Sequence, residues 1–257
     1  MDDCLSVILT FFDVDTLTTC FLVNKKFYAL SHQDCLWQQH LKTEWFPCHK
    51  NNYNHYQKNV LLQQFLKIHQ SFQLIESLHL SHRRLTNLPP EMNLLKNLKT
   101  INLSHNHITT LPTEWGQMSL KWIYLHNNDI TVLPPEWEKM PLQWIDLSHN
   151  NITTLPAEWG KMPLQRIYLH HNQITTLPPE WHEMPLETIN LSHNDITTLP
   201  TAWSVMPLQR IHLSHNHITT LPAEWGKMPL QYIDLSHNQI TTLPAKWRHK
   251  TLLHVNY

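Results

Sequence analysis

The chain has 257 residues, 41% of them hydrophobic, which is too apolar for a disordered chain and enough to build a core in one large domain or two modest ones. Its 19 lysines and arginines are balanced by 20 aspartates and glutamates throughout, so no basic stripe exists to follow phosphates and nucleic acid is excluded as an expected partner. No apolar run reaches the roughly 18 residues of a membrane span, and the acidic, interrupted opening MDDCLSVILTFFDVD is unlike a signal peptide, so no membrane partner is expected.

In residues 1–47 the apolar positions have helical spacing: Leu5, Ile8, Leu9 and Phe12, then Leu17, Cys20 and Phe21 with Phe27 and Leu30, then Leu36, Trp37 and Leu41. The pattern predicts three short helices, broken and capped at Asp13 to Asp15 and at Ser31 to Asp34. Cys4, Cys20, Cys35 and Cys48 are widely and irregularly spaced with no CxxC pair, and read as reduced thiols of a cytoplasmic protein.

The string ILTFFDVDTLTTCFLVNKKFYALSHQDCLW resembles the F-box, whose hallmark pairs fall at Ile8-Leu9, Phe12-Asp13, Leu22-Val23, Lys26-Phe27 and Leu36-Trp37. The resemblance implies a helical trio that docks on the Skp-family adaptor of an SCF-type cullin-RING ubiquitin ligase. Its contact residues would be Leu5, Ile8, Leu9, Phe12, Leu17, Leu22, Val23, Phe27 and Trp37. The Leu-Pro pair with which F-boxes usually open has no counterpart ahead of Leu5. A plain helical cap is the alternative. In residues 48–73, Leu61, Phe65, Ile68 and Phe72 predict a linking helix that caps the next domain.

From residue 74 to 257 the chain repeats itself. Asn106, Asn128, Asn150, Asn172, Asn194, Asn216 and Asn238 are each 22 residues apart, and around each the chain reads LxxIxLxxNxITxLPxxWxxM with few exceptions. Trp115, Trp137, Trp159, Trp181, Trp203, Trp225 and Trp247 keep the same 22-residue step. This unit is similar to the LxxLxLxxNxL consensus of leucine-rich repeats. The resemblance implies an α/β chain of a particular kind: a curved solenoid whose parallel sheet lines the concave side, preceded by the small helical F-box module.

Physically, the Ile-x-Leu pair has the period of a strand with its apolar side chains inward and the intervening residues on the open face. Nine strands are predicted, from Leu78–Leu80 to Val255–Tyr257, spanning roughly 40 Å at the ~4.8 Å spacing of neighbouring strands. The asparagines are expected to satisfy buried loop backbone, and the prolines of the return segment to allow turns and short 3₁₀ pieces but no regular helix. The first unit departs from the pattern, with Arg83 in the asparagine position and Met92 in that of the tryptophan, as a terminal unit should. At the other end an uncovered strand predicts self-association through Leu252–Tyr257. The regularity of the units resembles the F-box and repeat families of amoeba-infecting giant viruses, which implies host cytoplasm as the location for a viral chain.

The 21 histidines invite a metal reading. One recurs just before the ladder asparagine, at His105, His149, His171, His193, His215 and His237, with His82 in the first unit and Asn127 as the one substitute, while His107 and His217 follow the asparagine. A metal site needs three or four converging ligands, and no cysteine or distinctive carboxylate joins the row. The expectation is a surface row of imidazoles, with no metal and no cofactor. Ser104, Ser148, Ser192, Ser214 and Ser236 adjoin histidines in sequence but point to the opposite face, so no catalytic triad is suggested and the chain reads as no enzyme. The repeated tryptophans read as core.

Variation between units shows where recognition can be written. The positions flanking the middle isoleucine carry Trp122 and Tyr124, Trp144 and Asp146, Arg166 and Tyr168, Arg210 and His212, and Tyr232. Tryptophan, tyrosine and arginine dominate protein-interface hot spots. The expected function is therefore protein–protein interaction, with this concave surface holding a target for ubiquitination. The alternative is a scaffold or decoy without delivery to a ligase.

Overall fold

The computed structural model describes residues 76–88 and 90–247 and the strand His254–Asn256. The adaptor-contact residues Leu5 to Trp37 and the linking helix of Leu61, Phe65, Ile68 and Phe72 lie outside the described residues.

Each repeat contributes a three-residue strand: β1 Ser77–His79, β2 Thr100–Asn102, β3 Trp122–Tyr124, β4 Trp144–Asp146, β5 Arg166–Tyr168, β6 Thr188–Asn190, β7 Arg210–His212, β8 Tyr232–Asp234 and β9 His254–Asn256. They form one parallel sheet in chain order, each strand paired only with those of adjacent repeats. The strands begin one residue earlier than the Ile-x-Leu pattern predicts: β1 is Ser77–His79 rather than Leu78–Leu80, and β9 is His254–Asn256 rather than Val255–Tyr257. The reason is a bend. The leucine that follows each strand still donates across the sheet, as Leu103 N–H does to Tyr124 O at 2.8 Å, but the chain is already turning toward the next loop.

The isoleucine at each strand's centre is fully buried from Ile101 to Ile233, as are the following Leu103, Leu125, Leu147, Leu169, Leu191 and Leu213. Single apolar residues alternate with open-face ones over three positions, so the sheet buries one face and leaves the other to solvent.

Beyond the strand the chain turns through a residue with positive φ, at His82, His105, Asn127, His149, His171, His193, His215 and His237. Histidine and asparagine tolerate this left-handed conformation better than most residues, whereas a β-branched side chain would be strained. The ladder asparagine follows. Asn150 Nδ2 donates to Leu147 O in its own unit and to Leu125 O in the preceding one, both at 3.0 Å, while its Oδ1 accepts the Ile130 N–H at 3.0 Å. The same arrangement recurs at Asn128, Asn172, Asn194 and Asn216. A buried amide without these partners would be unfavourable; here it stitches two units together.

The return side carries a five-residue 3₁₀ segment in each regular unit, such as Thr113–Gln117 and Ala157–Lys161, each entered from a proline in extended conformation. No α-helix occurs among the described residues, so the helical part of the expected α/β class rests on residues outside them. Within each 3₁₀ segment the tryptophan is fully buried, from Trp115 to Trp225. The indoles lie nearly parallel, with centroids 6.1 Å apart for Trp115–Trp137 and 6.2 Å for Trp137–Trp159 and Trp181–Trp203. At Trp137, Trp159, Trp181, Trp203 and Trp225 the indole N–H reaches back 25 residues: Trp159 Nε1 donates to Pro134 O at 3.0 Å and Trp181 Nε1 to Pro156 O at 2.9 Å. At Gly116 and Gly160 a Cβ would fall 2.2 and 2.3 Å from the carbonyl oxygens of Glu136 and Glu180. The return segments therefore approach backbone to backbone at those two places, which only glycine permits.

Candidate functional site

The open face of the sheet is organised in columns, because parallel register places equivalent positions side by side. One column runs Thr100, Trp122, Trp144, Arg166, Thr188, Arg210 and Tyr232, and the other Asn102, Tyr124, Asp146, Tyr168, Asn190, His212 and Asp234. Every concave residue expected from the sequence sits on this face. Trp122, Arg166 and Arg210 are exposed, and Tyr124, Trp144, Asp146, Tyr168, His212 and Tyr232 are half-buried. Trp122 is among the few exposed large hydrophobic residues described, at 37%.

The structure joins some of these residues and separates others. The Tyr124 and Trp144 rings meet at 4.4 Å and a 46° tilt, and Trp144 meets Tyr168 at 5.6 Å and 52°. A second contact, His212–Tyr232 at 4.9 Å, lies farther along the sheet. Between them β6 carries only Thr188 and Asn190, so the face holds an aromatic block on β3 to β5 and a smaller pair on β7 and β8.

A third column lies two residues past each strand's end, where the sequence pattern singles out only the serines. It carries Ser104, His126, Ser148, His170, Ser192, Ser214 and Ser236. Where the strand ends in Asn or Asp, the serine hydroxyl donates to that side chain: Ser104 to Asn102 at 2.7 Å, Ser148 to Asp146 at 2.6 Å, Ser192 to Asn190 at 2.8 Å and Ser236 to Asp234 at 2.7 Å. Where it ends in tyrosine, a histidine follows. His126 Nδ1 lies 3.4 Å from Asp146 Oδ2. Burial drives the His170 pKa down to about 4 despite the attraction of Asp146, so this imidazole is neutral at physiological pH. For Asp234, burial opposes ionisation, yet hydrogen bonds from Ser236 and Ser214 outweigh it and hold the carboxyl below its ordinary value. The sequence signal was available: Tyr-Leu-His flanks Asp-Leu-Ser on both sides, and residues two apart share a face.

The imidazole row is more ordered than a set of surface side chains. His149–His171, His171–His193, His193–His215 and His215–His237 stack at centroid distances of 4.3, 4.1, 4.0 and 4.1 Å, with tilts of 11–16°. His82 and His105 form a separate stack at 4.2 Å, with Asn127 beyond it. Burial first, then repulsion from neighbouring imidazoles, holds His105, His171 and His193 below the ordinary histidine value. An open groove beside the row is lined by His193, Asp195, His215 and His217 among others. No group of three or more metal-ligating side chains among the described residues is placed to hold an ion.

A consequence for pH follows. A histidine with a lowered folded pKa contributes stability that is fully present above its unfolded value, about 6.5, and is lost as pH falls toward the folded value. Thermal unfolding midpoints are therefore expected to fall by several degrees between about pH 7 and about pH 5. Replacing His171 and His193 together by asparagine, the residue already found in this conformation at Asn127, should lessen that slope without loss of fold, while His105, His170 and His212 keep their share. An equal slope in the double variant would assign the acid sensitivity elsewhere.

Comparison with known proteins agrees with this architecture. A family model described as leucine-rich repeat matches residues 73–130, 118–163 and 206–251, and a second leucine-rich repeat model matches 163–184 and 185–206. Among solved structures, a leucine-rich repeat protein of Leptospira interrogans (LIC12759) is 34% identical with a TM-score of 0.67, over 72% of this chain and 49% of that one. The plant peptide hormone receptor RGFR1, solved in complex with RGF2, is 26% identical with a TM-score of 0.60, over 70% of this chain and 34% of its own. The PEPR1–AtPEP1 structure, at 23% identity and a TM-score of 0.57 over 69% of this chain and 27% of that one, is alike in fold. This chain thus spans about half the length of the Leptospira protein and less of the two others. No curated protein matches it. With family-model matches running without a break from residue 73 to 251, and with the asparagine ladder and parallel sheet formed unit by unit, the chain belongs to the leucine-rich repeat family.

Proposed function

We propose that this chain is a protein-interaction subunit whose concave face, centred on β3 to β5, binds a partner protein. The observation that carries the reading is the aromatic block of Trp122, Tyr124, Trp144 and Tyr168 with Arg166 beside it, partly exposed on the open face of the sheet. Contiguous exposed aromatic surface is rare without a use, and these residue types supply most interface hot spots. A neighbour in fold, RGFR1, is solved with RGF2 bound, which supports a leucine-rich repeat arc as a binding scaffold.

The fuller reading joins this arc to the F-box resemblance of residues 1–47. The chain then acts in the cytoplasm as the substrate receptor of an SCF-type ubiquitin ligase: the helical module engages the Skp-family adaptor, and the arc presents a target. It needs no catalytic residue of its own, because tethering raises the effective concentration of the target beside the ligase. Without adaptor binding, the same arc is a scaffold or decoy.

One affinity-purification series separates these readings. Wild-type chain should capture both adaptor and target. Leu9→Asp with Leu22→Asp should lose the adaptor alone. Trp122→Ala with Trp144→Ala should lose the target alone, by about thirtyfold or more in affinity, with circular dichroism unchanged. Capture of a target without the adaptor by wild type leaves the scaffold reading, and capture undiminished in the tryptophan variant moves the binding surface off the concave face.

A further inference from the structure

We propose that Asp146 and the rings around it form a cage for a positively charged nitrogen on a partner's lysine or arginine side chain. The inference rests on the concave face being the partner-binding surface, and names what its centre recognises. In register, Asp146 lies between Tyr124 on β3 and Tyr168 on β5. Trp144 contacts both tyrosine rings, at 4.4 and 5.6 Å. His126 closes another side, with Nδ1 at 3.4 Å from Asp146 Oδ2. On β5, His170 is close enough for its charge state to be coupled to that of Asp146.

The carboxylate itself is half committed. Oδ1 accepts the Ser148 N–H at 3.0 Å and its hydroxyl at 2.6 Å, which fixes the side chain. Oδ2 faces His126 without a hydrogen bond, since Nδ1 of His126 has no hydrogen-bond partner, and neither does Nδ1 of His170. No ion pair among the described residues joins Asp146 to Arg166, the cation beside Trp144. The side chain remains 19% exposed. A negative charge flanked by these rings has two attractions for a cation, the charge itself and the electron-rich faces of tryptophan and tyrosine. A carboxylate or phosphate would meet like charge there, and a purely apolar side chain would leave Oδ2 desolvated without a partner.

The repeat supplies its own controls. Asn102 and Asn190 occupy the position of Asp146 in their units and accept the same serine hydrogen bonds, at 2.7 and 2.8 Å. Asp146→Asn therefore removes the charge while keeping a side chain and a bond that the fold already uses. Asp234 makes the same serine bond but sits between His212 and Asn256 in its column, with no tyrosine on either side.

The test is a titration of the full chain with acetyl-arginine methylamide, acetyl-lysine methylamide and acetyl-norleucine methylamide, following the indole N–H resonance of Trp144 by NMR. Saturable shifts are expected from one or both cationic probes and none from norleucine; the stronger of the two tells which side chain is preferred. Asp146→Asn should weaken the cation by about tenfold or more, and Asp234→Asn should leave it unchanged. Equal shifts from norleucine, undiminished binding in Asp146→Asn, or no shift from any probe would each overturn the cage. The concave reading fails separately: a partner released by Trp122→Ala with Trp144→Ala but indifferent to Asp146→Asn keeps that reading and sinks the cage, whereas a partner indifferent to both removes them together.

Discussion

Replacing Asn172 by leucine is expected to destabilise the repeat array by roughly 3–6 kcal/mol, the sum of three buried backbone groups left without partners at about 1–3 kcal/mol each and only partly relaxed. Those groups are the Ile152 N–H, which loses Oδ1 at 3.0 Å, and the carbonyls of Leu147 and Leu169, which each lose Nδ2 at 3.0 Å. Leucine keeps the branching of asparagine, but its methyl groups are bulkier than the amide atoms that now lie 3.0 Å from these three groups, so the loss combines unpaired backbone with local crowding. Urea unfolding should show a lower midpoint, and amide exchange should be fastest at Ile152 and its neighbours on both sides of the substitution. A loss under about 1 kcal/mol would mean that water enters and satisfies the freed groups.

The second large effect is expected on the opposite side. Trp159→Ala should be destabilising by roughly 3–5 kcal/mol, the usual range for emptying a large aromatic site in a core. Trp159 is fully buried, lies parallel to Trp137 at 6.2 Å and donates to Pro134 O. Trp159→Phe keeps most of the ring and loses the N–H, so it should be the milder change, near 1–2 kcal/mol from the orphaned Pro134 carbonyl. Chemical denaturation of both variants, read by far-UV circular dichroism, checks the order. If phenylalanine proves as damaging as alanine, the indole hydrogen bond and not the packing dominates the return side.

The 22-residue step made the sheet, the asparagine ladder and the tryptophan column legible, because each is a local arrangement that identical residues repeat. What escaped the sequence depends on how neighbouring units differ or touch. The left-handed backbone at His149 or His215 is invisible in the composition of a single unit; only Asn127, the exception, hints that the position selects for conformation and not for imidazole chemistry. The stacking of those rings follows from identical backbone at a ~4.8 Å strand spacing. Likewise, the open-face residues beside each isoleucine could be named, but their grouping could not. That Tyr124 and Tyr168 both touch Trp144, in the neighbouring column, is set by side-chain tilt across strands. The serine and histidine column is legible as Tyr-Leu-His alternating with Asp-Leu-Ser, but its bonds to the strand ends depend on the bend that follows each strand.

The backward reach of the connecting bonds has an evolutionary meaning. From Asn128 to Asn238 each ladder asparagine, and from Trp137 to Trp225 each return-side indole N–H, finds a partner in the unit before it, 20 to 25 residues upstream, and that partner is chemically the same each time. Excising or inserting one 22-residue segment by recombination would rejoin equivalent partners, so the number of copies can change without redesigning the interior. What such an event alters is the order of side chains along the open face. The bonding scheme thus separates inheritance of the framework from invention of the surface.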